Sequence, residues 1–201
     1  MTALRAVSRL ASAFVLLAAG SADAFSPFPG KGTDETAKIH ALKVKKNHTA
    51  EETLLIETYN GATPGPGKGG VYGTKVYKLT EALTVYRVFT GANARARIGS
   101  WWSHSNPKGQ TKADYRKNYA ICHDWNPDMD TMVKCTLEVG TILAYGAGEA
   151  VKAGECADHA EHYAKDTLGK WMQIYLHKPF ANQTAKIVCE PAAQDVHRPL
   201  E

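Results

Sequence analysis

Leu83-Thr84-Val85-Tyr86-Arg87-Val88-Phe89 is a short run dominated by β-branched and aromatic residues, the composition of a strand. Val71-Tyr72 and residues 75–79, just before it, have the same character. Further on, residues 132–137 alternate Met132, Lys134 and Thr136 against Val133, Cys135 and Leu137. That period of two describes a half-buried strand with a cysteine on its inner side. Residues 98–103, 140–145, 171–177 and 185–189 read as further strands.

Helical signals flank and interrupt these runs. Residues 33–44 have a helical pattern, and Thr49-x-x-Glu52 is a capping box that leads into Leu54-Leu55-Ile56. Residues 112–121 suit an exposed helix with one apolar side, stopped by Trp125-Asn126-Pro127, and residues 149–165 are Ala-rich and helix-permissive. Two helices followed by strands with one or two interrupting helices make an α+β domain the most economical class.

The N-terminus has the pattern of a secretory signal. Arg5 and Arg9 precede a small and apolar stretch from Ala11 to Gly20, and Ala22-Asp23-Ala24 supplies a small-x-small cleavage pattern. Cleavage is expected after Ala24, and no later stretch approaches the roughly 18 apolar residues a membrane helix requires. The expected organisation is a signal peptide over 1–24, then an arm, helices and Gly/Pro-rich loop over 25–70. The main domain over 71–201 completes it. The formal charge of +4 becomes +3 once Arg5, Arg9 and Asp23 are removed, without a concentrated basic block. Nothing in it argues for nucleic acid. Four cysteines, Cys122, Cys135, Cys156 and Cys189, in an oxidising compartment imply two disulfides, with three connectivities open. Asn47-His48-Thr49 and Asn182-Gln183-Thr184 match the glycosylation sequon.

Three segments carry the chemistry: Val85-Tyr86-Arg87-Val88-Phe89 followed by Gly91, then Gly99-Ser100-Trp101-Trp102-Ser103, then Gly169-Lys170-Trp171-Met172-Gln173-Ile174-Tyr175-Leu176. Together they resemble the ADP-ribosyltransferase-like superfamily and, within it, secreted NAD-consuming toxins of the tuberculosis-necrotizing-toxin type. The resemblance covers roughly residues 77–179. It implies split antiparallel sheets with a few peripheral helices, and cleavage of the nicotinamide N-glycosidic bond of NAD by hydrolysis or ADP-ribosyl transfer. It also implies a macromolecular acceptor in the transferase case, an inhibitor protein as partner, and no metal. The aromatic-Arg pair is Tyr86-Arg87, Ser100 and Ser103 resemble the serine-containing motif, and Gln173 stands where a Glu or Gln contacts the nicotinamide ribose. Arginine-modifying transferases carry Glu-x-Glu at this place, whereas the chain has Trp171-x-Gln173, which favours hydrolysis over protein modification.

The residues support the same chemistry on their own terms. An arginine fork flanked by apolar strand residues suits a pyrophosphate, which makes Arg87 the phosphate candidate. Trp101 and Trp102 are adjacent, so on a strand they face opposite ways, and the one outside the core is free to stack on a ring. An amide oxygen on Gln173 can accept a hydrogen bond from a ribose hydroxyl as oxocarbenium character develops. Two other classes stay open: a secreted binding or structural domain without catalysis, and a metal-dependent hydrolase built on Glu155, His159, Glu161 and His162. His104 and His123 are candidate acids or bases.

Overall fold

A computed structural model describes residues 28, 30–152, 154–156, 171–178 and 186–201. The signal-like segment, Asn182, and the histidines at 159 and 162 lie outside the described residues.

The chain is mixed α+β. A short strand β1 (Gly32–Asp34) leads into helices α1 (Thr36–Leu42) and α2 (Ala50–Ala62). Strands β2 (Val71–Leu79), β3 (Leu83–Phe89) and β4 (Trp101–Ser103) follow, then helix α3 (Lys112–Tyr119). Strands β5 (Thr131–Leu137), β6 (Ile142–Gly148), β7 (Met172–Tyr175), β8 (Ile187–Cys189) and β9 (Val196–His197) complete the described strands. The strands form one sheet in the order β1-β2-β6-β7-β4-β3-β5-β8, with β9 also paired to β5. Every pairing among them is antiparallel. The sheet is therefore continuous rather than split. β7 joins its halves, pairing Tyr175 with both Ala144 of β6 and Trp101 of β4.

Alternation along the strands divides the apolar side chains between two faces. On the inner face Val85, Trp102, Val133, Leu137, Leu143 and Ile174, drawn from five strands, pack into one buried cluster. The outer face holds two separate clusters. Ile39, Leu42, Leu54 and Leu55 of α1 and α2 cover Val76, Ile142 and Ala144, while Tyr115 and Tyr119 of α3 cover Val88 and Met132. The gap between these two helical covers is where the sheet remains open.

Local chemistry sets the helix ends. Thr49 accepts a hydrogen bond from Glu52 N at 3.2 Å, and the Glu52 carboxylate accepts from Thr49 N at 2.8 Å. Lys45 and this capping box hold the Glu52 carboxyl down at about 2. Two readings of helix extent are corrected. Residues 33–34 do not begin α1, because Thr33 pairs with Lys78 and Gly32–Asp34 becomes an edge strand. α3 ends at Tyr119, where Ala120 turns left-handed at φ 48° and Ile121 N bonds back to Arg116 O at 3.0 Å. The helix-permissive stretch is also not helical where it is described: Val151 forms a bridge with Lys68, and Cys156 is tied into a disulfide.

The two disulfides are Cys122–Cys156 and Cys135–Cys189, leaving no free thiol. Among the described residues no helix is long and apolar enough to cross a membrane.

Candidate functional site

Between the two helical covers lies a cavity of about 330 Å³. Its floor comes from the sheet: Arg87 and Val88 of β3, Trp101 and Trp102 of β4, and Gln173 of β7. Tyr115 and Tyr119 of α3 form one wall, and Lys68 in the loop after α2 stands at another with Trp125. Among the described residues the lining holds two cations, Arg87 and Lys68, and no carboxylate.

Arg87 reaches the cavity through a seam. Its parity is that of inner residues Val85 and Phe89, but β3 and β4 share a single paired position, Tyr86 with Ser103. Where the strands part, the half-buried guanidinium donates from Nε to Ala96 O and from Nη1 to Trp101 O, each at 2.7 Å. Among the described residues no carboxylate pairs with it. Burial lowers its pKa, with the nearby Tyr115 acting in the opposite sense, and a guanidinium in such a place stays charged. Gly99 permits the approach, since a Cβ there would stand 2.6 Å from Arg87 Nη2.

Gln173 is buried at 6% exposure with its amide nitrogen donating to Tyr119 O. Gly148 makes room for that amide, because a Cβ there would lie 2.6 Å from Gln173 Nε2. With the nitrogen committed to a carbonyl, the amide oxygen is the group left to accept from a ligand. Trp102 is buried in the inner core with Nε1 donating to Gly99 O at 2.7 Å. Trp101 faces the outer side, tilted against Tyr175 with ring centroids 4.8 Å apart. Burial pushes the Tyr115 hydroxyl up to about 12, against the pull of Arg87, and raises Tyr119 as well, so both phenols are neutral donors at physiological pH.

The structure thus brings Arg87, Trp101, Trp102 and Gln173 to one cavity, although Gln173 is far from the others in the chain. It does not bring Tyr86, Ser100 or Ser103 there. Tyr86 has outer parity and packs with the α3 cluster. Ser103 is fully buried, its hydroxyl donating to Tyr86 O at 3.1 Å. His104 and His123 are likewise not among the lining residues. Tyr115 and Tyr119 escaped sequence reading as site residues, although their spacing of four marks the apolar side of α3. Lys68 and Trp125 sit in stretches whose only local signal is that of a turn.

Cys122, Asp124 and Cys156 lie close enough together to suggest a metal site. Both sulfurs are consumed by the disulfide, so the thiolate ligands such a site needs are missing. No family model matches the chain, and neither the curated proteins nor the solved structures include a significant match to it.

Proposed function

We propose that the chain is a secreted NAD-consuming enzyme, a toxin or effector of the ADP-ribosyltransferase-like type, which cleaves the nicotinamide N-glycosidic bond in this cavity. The observation that carries the reading is a charged guanidinium that meets no carboxylate among the described residues, in one cavity with aromatic rings and a buried amide. A pyrophosphate satisfies the Arg87 fork, and Gln173 Oε1 is free to accept from a ribose hydroxyl. At about 330 Å³ the cavity lies near the lower end for small-molecule sites, room for part of a dinucleotide. Two disulfides agree with an oxidising compartment.

In the hydrolytic reaction the C1′–N1 bond breaks and its electron pair goes to the pyridinium nitrogen, which leaves as neutral nicotinamide. Water oxygen bonds to C1′ and one proton is released. A hydrogen bond to Gln173 Oε1 strengthens as positive charge develops on the ribose, so it favours the transition state over bound NAD. In the transferase alternative a nucleophile on a macromolecule takes the place of water.

The absence of a carboxylate among the described lining residues favours a second reading, a binding module that holds the nucleotide without turning it over. Incubating protein purified from a secreting host with NAD and separating the products distinguishes these cases. Nicotinamide with free ADP-ribose indicates hydrolysis, labelled macromolecule in a host lysate indicates transfer, and bound but intact NAD indicates a binding module. Bound but intact NAD would overturn the enzyme reading, and a protein that neither binds nor cleaves NAD would overturn both readings.

A further inference from the structure

Trp125 is half exposed, at 50%, in a turn that has little freedom to move. The Asn126 amide donates to Val88 O and accepts from Thr90 Oγ1, both at 3.0 Å. Arg116 donates to Asn126 O at 2.7 Å, to Pro127 O at 2.9 Å and to Cys122 O at 2.9 Å. The Cys122–Cys156 disulfide ties the start of the same turn. An indole left half in water on a rigid turn is a prepared surface. It lies over Gly69, where a Cβ would meet the ring at 3.2 Å. The neighbouring residue, Lys68, is exposed and makes no ion pair among the described residues. Its backbone is fixed by the bridge to Val151 and by Lys68 N donating to Gly65 O at 3.2 Å.

We infer that Lys68 and Trp125 form an outer subsite that takes the second nucleotide half of a dinucleotide, the ammonium on the distal phosphate and the indole against the purine. The inference rests on the proposed use of the cavity for NAD and adds to it a residue pair that selects dinucleotide over mononucleotide. A cavity that holds only part of such a ligand leaves the other half at its mouth, where the one exposed cation and the one exposed indole among the described lining residues stand. Base stacking on an aromatic residue suits this place because it needs a flat face and no exact hydrogen-bond pattern.

The test compares nicotinamide release from NAD with release from nicotinamide mononucleotide, which lacks the adenylate half, in the wild type and in Trp125→Ala, Trp125→Phe and Lys68→Met. Trp125→Ala is expected to lower kcat/KM for NAD about tenfold and leave the mononucleotide unchanged. Trp125→Phe should retain most of the NAD preference, which separates stacking from a packing defect. Lys68→Met should lower NAD alone, by a smaller and salt-sensitive factor. Equal losses on both substrates, or a wild type that prefers the mononucleotide, would overturn the outer subsite while leaving the cavity's activity intact. No nicotinamide from either substrate would overturn the subsite together with the reading it rests on.

Discussion

Cys135–Cys189 and Cys122–Cys156 close stretches with sequence separations of 54 and 34 residues. Chain entropy alone gives each about 4 kcal/mol, with about 0.4 kcal/mol between them. Their surroundings differ far more. Cys135 and Cys189 face each other in the β5–β8 ladder, flanked by a 2.7 Å Lys134–Glu190 ion pair and by Arg97, which donates to Asp195 and to Glu190 O. The geometry there is already set by strand pairing. Cys122 and Cys156 belong to no helix or strand and pack in a small cluster with Ala120 and Val151, beside the cavity wall. In the sheet the bond reinforces an arrangement that hydrogen bonds specify; at the cavity it helps to specify the arrangement.

The largest expected effects test that contrast directly. Replacing Cys135 and Cys189 with Ala should cost about 2–5 kcal/mol in urea unfolding, with NAD affinity per folded molecule unchanged. Replacing Cys122 and Cys156 should cost a similar or smaller amount of stability and also weaken NAD binding, measured by calorimetry, by about tenfold or more. Equal binding losses in the two double variants, or a loss only in the first, would break the comparison.

Arg87→Ala should weaken NAD binding by about 1.5–3 kcal/mol through loss of a charge-assisted contact. Calorimetry on the folded variant checks this, and an unchanged Kd would remove Arg87 from the phosphate role. Gln173→Ala should lower kcat with little change in KM, because its oxygen is assigned to the transition state. A rise in KM at constant kcat would instead mark Gln173 as a uniform binding contact.

Away from the cavity, Thr49→Ala should cost about 1 kcal/mol by removing the α2 cap, with nicotinamide release unaffected. The smallest effect concerns pH. His177 has Glu57 Oε2 3.3 Å from Nε2 and the Tyr175 hydroxyl 3.4 Å from Nδ1. Burial lowers its pKa, joined by Lys178 and opposed by Glu57. The unfolded chain then binds the proton more readily. Stability is full above the ordinary histidine pKa, about 6.5, and declines as pH falls through it toward the folded value. His177→Gln should flatten Tm between pH 7.5 and 5.5; a slope as steep as the wild type's would assign the effect to other groups.

Much of the sheet was legible because its signals are local. The alternation of Val133, Cys135 and Leu137 against Lys134 and Thr136 marks the inner face of β5, and those three residues are buried there. Adjacent Trp101 and Trp102 had to face opposite ways on a strand, and Thr49 and Glu52 cap α2 through atoms three residues apart. The sequence by itself determined these features, the α+β composition and an even set of cysteines, because each depends on periodicity, hydrogen bonds between near neighbours or residue type. Tertiary structure decided which cysteines pair and that residues 33–34 join β2 instead of extending α1. It also decided that β7 bridges β6 and β4 into one sheet, and that Arg87 crosses the β3–β4 seam to share a cavity with Gln173. Those outcomes depend on contacts between segments distant in the chain, whose energies win over local preference only after the sheet has brought them together.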